Sequence, residues 1–384
     1  MNETCGISSV SGTFILIHNP LIPPLPRPTM DRQRLQWLDA MRGFTMLLVV
    51  AYHVAQFAFG LNLKNSTSFP FLVLFRMPLF FFVSGFLSYR PSFQWTADNV
   101  RGLLWKKLLV QVIPALVFLS IYIVFRLKGT FGSEFVHLMS LSTKGGYWFT
   151  FVLLQMYVVF YILLFPLPDG KWRRWAVAVL WVCSLFVYET LYMPKTFSYF
   201  KDPFFRYTSI VETIRFFHFF LFGCLVRCYW SRFQRLLDTS WFFPLLALLA
   251  VICCADIFRW HTLKFVWTNL PRTLAMYSLV LMVVQFFRHY SQWFSSQFAL
   301  GRVMQYVGCR TLDIYLLHFI VMPSLSGVGK WLNTHQPNFL LEQLSTISVA
   351  IPVVGFCCLI SHFLRTSPFL ECYLFGVRRK KGNQ

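Results

Sequence analysis

Acidic side chains are scarce in this chain: Asp and Glu total 14 against 35 Lys and Arg, and charged residues of all kinds make up only 13% of 384 positions. With 57% hydrophobic residues, so little charge cannot coat a single soluble core of this length, and apolar runs recur from end to end. Chemical motifs are missing as well. The ten cysteines are scattered, with no C-x-x-C and no Cys/His ligand spacing, so neither a metal nor a redox centre is expected. There is no P-loop and no G-x-G-x-x-G, which excludes a nucleotide-hydrolysing engine of the usual kinds. No internal repeat of the sort that builds inverted-repeat transporters is visible. A formal charge of +21 would suit nucleic acid, but the basic residues lie between apolar spans and form no single patch, so nucleic acid is not expected as a partner.

What is present is a polytopic, all-α membrane protein. Apolar stretches of spanning length predict about ten helices, near 38–59, 71–89, 103–125, 147–165, 174–190, 211–229, 241–258, 270–287, 304–323 and 343–364. Alternate connections divide the Lys and Arg about two to one, the richer set including Arg101, Lys106, Lys107, Arg173, Arg232, Arg302 and Arg378. By the positive-inside rule both termini are then cytoplasmic. Residues 1–30 read as a disordered tail, because GTFILIH is too short to span and NPLIPPLPRP is proline-rich and extended. Met30 precedes a basic DRQR and is a candidate translation start. Residues 31–370 form the membrane domain, and 371–384 a basic cytoplasmic tail.

Ionisable residues inside apolar spans are expensive and mark function by default. Arg42 and His53 lie eleven steps apart on the first span, which brings them to nearly one face, roughly 16 Å apart along the axis. Asp39, three residues before Arg42, can orient it. Counting residues from each membrane face puts His53, Arg76, His218, Tyr315 and His318 at similar depth near the outer side, with Tyr147, Trp148 and Arg272 opening helices there. Structural roles compete. Trp148 and Tyr147 suit an aromatic belt, Arg215 can pair with Glu212, and His218 can fill space among phenylalanines. Asp313 points away from His318, towards a basic partner such as Arg310. Arg76, within LFRMPLFFF, is hardest to explain structurally, since an unpaired guanidinium there would cost about 3 kcal/mol or more.

Several stretches together resemble the acyltransferase-3 family of integral membrane acyltransferases, which includes polysaccharide O-acetylases and periplasmic-glucan succinyl transferases. They are WLDAMRGFTMLLVVAYH, with the family's Arg-x10-His signature, then FRMPLFFFVSGFL, KKLLVQVIP, YWFTFVLLQMY and GCRTLDIYLLHF, in that order over residues 37–320. The resemblance implies about ten helices, no bound cofactor, and acyl-CoA as cytoplasmic donor substrate. It implies an envelope polysaccharide or glycolipid as acceptor, and residence in a bacterial inner membrane. The family's essential first-helix pair falls on Arg42 and His53, and its basic cluster opening the third helix falls on Lys106 and Lys107. Members often carry an arginine three residues further on, where this chain has Val110, which weakens a donor-phosphate role there. With the last span near the end of the chain, no SGNH-type hydrolase domain is expected to follow.

The residue types suit that chemistry. Acyl transfer to a hydroxyl needs a general base, here His53, and donors for an oxyanion, for which Arg76, His318, Tyr315 and Trp148 are the candidates. Arg42, oriented by Asp39 and supported by Lys106 and Lys107, is placed to hold the phosphates of CoA. A transporter or flippase for an anionic lipid-linked glycan is the alternative, using the same arginines for binding and the histidines as a proton relay.

Overall fold

A computed structural model describes residues 35–62, 66, 68–127, 129–168, 170–191, 202–257, 270–335 and 338–376. The expected tail at 1–30 and most of the basic tail at 371–384 lie outside them. Among the described residues the chain is helical, with no strand, as a bilayer demands of any chain that must satisfy its backbone within each span.

The helices run, in order, α1 (Gln36–His53), α2 (Ser68–Ser88), α3 (Ala97–Lys107), α4 (Ile113–Arg126), α5 (Phe131–Ser140), α6 (Trp148–Leu164), α7 (Lys171–Leu191), α8 (Pro203–Thr208) and α9 (Ile210–Cys228). There follow α10 (Trp230–Leu237), α11 (Phe242–Ile257), α12 (Leu270–His289), α13 (Ala299–Cys309), α14 (Thr311–Val321), α15 (Ser326–Thr334), α16 (Phe339–Thr366) and α17 (Pro368–Phe375). A π-helical turn, Val54–Ala58, extends α1, and another, Leu108–Val112, joins α3 to α4.

By length and apolarity six of these segments can cross a membrane unaided, and up to eight if two sharply bent helix pairs count as one span each. That is fewer than the ten expected, for local reasons. The span expected at 304–323 is not one helix: it breaks at Arg310, whose ψ of 14° ends α13 before α14 begins. The chain after α14 turns by 90° into α15. The apolar α6 has only 17 residues, and α9 carries Glu212, Arg215 and Arg227 within 19. Of the segment read as a basic tail, residues 371–375 belong to α17, whose Phe375 ring lies 5.7 Å from that of Phe118 on α4.

Helix α1 is the hub, packed against α2, α12, α13, α14 and α16. Lipid gives helices little hydrophobic reason to associate, so close backbone approach and dispersion must hold them. Glycines provide it at two crossings. A Cβ on Gly43 would strike the Met304 carbonyl of α13, and one on Gly308 the Asp39 carbonyl of α1. At the α2–α9 crossing, Gly85 meets the Phe220 carbonyl and Gly223 the Phe82 carbonyl, while Cys224 Sγ donates to the Gly85 oxygen at 3.2 Å. Around that contact Phe81, Phe82, Phe86, Phe219 and Phe220 are fully buried. This crossing fixes where α2 carries Arg76.

Gly85→Ala is therefore expected to lower the thermal midpoint of the purified protein by several degrees, the signature of an overpacking cost of about 1–3 kcal/mol. Gly355→Ala, at a helical glycine with open space beyond it, should leave the midpoint unchanged in the same fluorescence melt. Equal midpoints for both variants would remove the close crossing from the account of stability.

Candidate active site

His53 is the last residue of α1, and the π-helical turn begins directly after it. Such turns insert an extra residue, shift the helix face and are frequent at functional sites. Here the turn lets Phe57 stack on the His53 ring, with centroids 5.6 Å apart. On its other sides the ring meets Phe319 at 4.9 Å and His318 at 5.2 Å, both from α14. Its Nδ1 is buried and has no hydrogen-bond partner among the described residues.

His318 is completely buried. Its Nδ1 lies 3.0 Å from the Ile314 carbonyl oxygen, which can only accept, so Nδ1 donates there and, in the neutral ring, Nε2 is the nitrogen with the lone pair. That Nε2 is buried and has no hydrogen-bond partner among the described residues. Two imidazoles thus face each other, one with a basic nitrogen assigned by its surroundings.

Arg76 reaches the same place from α2. Its guanidinium sits 3.5 Å from the centroid of the Tyr52 ring, a cation–π contact that partly replaces lost water, and the residue is only 8% exposed. It lies within electrostatic range of both imidazoles and of Arg215. No carboxylate pairs with it among the described residues. The site therefore brings a buried guanidinium next to two imidazoles.

Trp148 and Tyr315 border the site in different ways. Trp148 stacks on Phe216 at 5.8 Å and is half buried. The Tyr315 hydroxyl is engaged twice over: it donates to the Gly146 carbonyl at 2.7 Å and accepts from the Phe149 N–H at 3.2 Å. It fastens the turn before α6 to α14, and its proton is committed to backbone. Tyr147 adds a second fastening, its hydroxyl donating to the Leu316 carbonyl at 3.0 Å. Gly146 has φ of +104° and presses on Phe319, where any Cβ would strike the ring; both facts require glycine. Lys144, buried to 2% exposure, adopts a left-handed φ of +44°. Its Nζ donates to the Tyr207 carbonyl at 2.8 Å and the Met139 carbonyl at 3.2 Å, capping α8 and α5 at once.

At the opposite end of α1, Asp39 accepts from Arg42 Nη1 at 3.3 Å, as the i+3 spacing suggests, and Arg42 Nη2 donates to Thr311 Oγ1 of α14 at 3.1 Å. Arg42 and His53 are thus both tied to α14, one at each end. Lys106 is exposed, while Lys107 is turned onto α6, its Nζ 3.1 Å from the Tyr157 hydroxyl.

The structure sharpens two of the readings. His218 does not join the His53 group; it belongs to a separate buried cluster of α7, α9 and α12, with Nδ1 2.8 Å from the Tyr277 hydroxyl and its ring against Tyr188. Depth along the membrane normal says nothing about lateral position, and the packing role among aromatic rings is the one the structure shows. The main partner of Asp313 is not Arg310, at 3.5 Å, but Arg365 of α16, which grips both carboxylate oxygens at 2.7 and 2.8 Å. Sequence reasoning also missed Tyr52, Phe319, Gly146 and Thr311. Only Tyr52 left a hint, as the neighbour of His53.

The acyltransferase-domain family profile matches residues 35–362, from the first described residue to the last turn of α16. The chain belongs to the acyltransferase-3 family. It is a membrane acyltransferase. No curated protein and no solved structure matches it significantly. The matched span contains both arginines, both facing histidines and the turn that carries Trp148.

In this acyltransferase Tyr315→Phe leaves a buried N–H and a buried carbonyl unpaired. The thermal midpoint should fall by an amount corresponding to about 1–3 kcal/mol. An unchanged midpoint would show that the hydroxyl is not needed by the turn and return it to the list of groups that act on substrate.

Proposed function

We propose that this acyltransferase moves an acetyl or succinyl group from cytoplasmic acyl-CoA to a hydroxyl of an envelope polysaccharide or glycolipid, in a bacterial inner membrane with both termini cytoplasmic. The observation that carries this reading is the contact of His53 with the buried His318 beside an arginine that has no carboxylate partner among the described residues. A hydrolase or transferase acting on thioesters needs a base and a field for an oxyanion, and this arrangement supplies both without a covalent nucleophile.

An imidazole lone pair takes the proton of the acceptor hydroxyl as its oxygen attacks the thioester carbon. The negative charge that develops on the carbonyl oxygen lies in the field of Arg76, with the Trp148 indole N–H as a further donor; an apolar wall of Phe57, Phe81, Phe216 and Phe319 keeps water away and strengthens that field. Collapse of the tetrahedral intermediate breaks the C–S bond, and the imidazolium returns its proton to the departing thiolate. His53, at the junction of α1 with the π-helical turn, is the base. His318, fixed through Nδ1, orients it or accepts the proton in its stead, and Tyr315 positions the turn that carries Trp148.

Arg42 lies roughly 16 Å from His53 along α1, and the pantetheine arm of CoA is long and flexible enough to connect a phosphate held at one end with a thioester at the other. Asp39 and Thr311 hold Arg42 for that task. Lys106, exposed nearby on α3, is available to the same donor, and Lys107 shares its charge with Tyr157.

The decisive test supplies labelled acetyl-CoA and succinyl-CoA with candidate glycans to the purified full-length protein. His53→Ala is expected to lower transfer about 100-fold to 10,000-fold while the thermal midpoint is retained, and His318→Gln to lower it to a similar or smaller degree. Transfer at the wild-type rate in a folded His53→Ala variant sinks the assignment of the base.

A further inference from the structure

Away from the histidines, at the Arg42 end of the bundle, a cavity of about 430 Å³ lies between the α13–α14 break and the ends of α16 and α17. Cys309, Arg310, His362, Arg365, Thr366 and Glu371 line it. Its size falls within the range of small-molecule sites, about 300–1,000 Å³, and its lining is polar and basic where a bilayer protein is otherwise apolar.

The charges in its wall are unequally used. Arg365 engages three of its nitrogens: Nε and Nη2 bind the two oxygens of Asp313 at 2.8 and 2.7 Å, and Nη1 binds Glu371 Oε1 at 3.1 Å. Asp313 Oδ2 also accepts from Ser361 at 2.5 Å, so the buried carboxylate is saturated. Arg310 is left with little of it. Its Nη1 donates to Ser361 Oγ at 2.9 Å and stands 3.5 Å from Asp313, while its Nε and Nη2 have no protein hydrogen bond among the described residues. Its side chain is 23% exposed. His362, one turn before Thr366 on α16, likewise has no hydrogen bond among the described residues and faces the cavity. One residue beyond Arg310, Thr311 holds Arg42.

We propose that this cavity binds a phosphate group, through the open edge of Arg310 and the imidazole of His362. A guanidinium edge offers two parallel N–H donors that match two phosphate oxygens, and Arg365 is kept from competing by its two carboxylates. Phosphate can come from two sources here, a phosphate of the CoA donor or an anionic lipid headgroup. The first rests on the function proposed above and gives Arg42 a second cation, one residue from its Thr311 partner, for a donor with several phosphates; the second does not depend on that function.

Calorimetry on the full-length protein in phosphatidylcholine nanodiscs, with CoA, 3′-dephospho-CoA and inorganic pyrophosphate as titrants, tests both. Arg310→Gln and His362→Ala, which leave the Arg365–Asp313–Glu371 contacts in place, should each weaken CoA binding about tenfold or more, the loss of one charge-assisted hydrogen bond. Arg310→Lys, which keeps the charge without the fork, should weaken it less. If CoA affinity is unchanged but the thermal stabilisation conferred by adding phosphatidylglycerol to the nanodiscs disappears in both variants, the phosphate is a lipid's and the site still stands. Wild-type affinity for CoA and pyrophosphate together with wild-type stabilisation by phosphatidylglycerol, in variants that melt like the wild type, overturns the proposal. Binding is read without turnover, so an absence of acyl transfer would sink the proposed function and leave this measurement intact.

Discussion

A guanidinium kept inside the bundle without a carboxylate beside it is the constraint on which the His53 end depends. Pairing Arg76 with an acid would stabilise it but cancel its field, and leaving it bare would cost too much to fold. The Tyr52 ring is the compromise: its π-face lowers the cost of burial and leaves the charge uncancelled. Because Tyr52 adjoins His53 on α1 and Arg76 comes from α2, the contact also sets the distance between base and cation. The glycine crossing of α2 with α9 and the close packing of α1 on α13 hold those helices in place for it.

The two ends of α1 treat charge in opposite ways. Around His53 the polar atoms are left with unsatisfied capacity: Nδ1 of His53, Nε of Arg76 and Nε2 of His318 are buried without hydrogen-bond partners among the described residues. Such atoms are costly unless a ligand completes them. Around Arg42 the acids are consumed by basic partners, Asp39 by Arg42, and Asp313 and Glu371 by Arg365, so that the polar groups are organised before anything binds. The first arrangement suits charge that appears during a reaction, and the second suits a ligand that arrives charged. Helix α14 joins them, with Thr311 and Asp313 at one end and Tyr315 and His318 at the other.

The 144–149 turn shows how much structure supports one wall of the site. A buried lysine caps two helices, a glycine with left-handed backbone accepts the contact of Phe319, and two tyrosine hydroxyls bind the turn to α14. Tyr315 looked like a group aimed at substrate, because three residues separate it from His318 on one helix face. That spacing was right and the role was not legible, since the partner of a hydroxyl depends on which loop packs beside it.

The sequence alone determined that this is an all-helical membrane protein and that Arg42, His53, Arg76 and His318 are out of place in apolar spans, because composition and the periodicity of a helix act locally and need no knowledge of neighbours. Conserving one face over eleven steps placed Arg42 and His53 at the two ends of α1, and counting depth put Arg76 and His318 level with His53. Only the tertiary structure decided that His318 and Arg76, but not the equally deep His218, stand beside His53. It alone broke the ninth span at Arg310 and gave Asp313 to Arg365. Those outcomes turn on lateral packing, on which helices are neighbours and which of their faces meet, and rise per residue fixes a side chain along the membrane normal without fixing it in the plane.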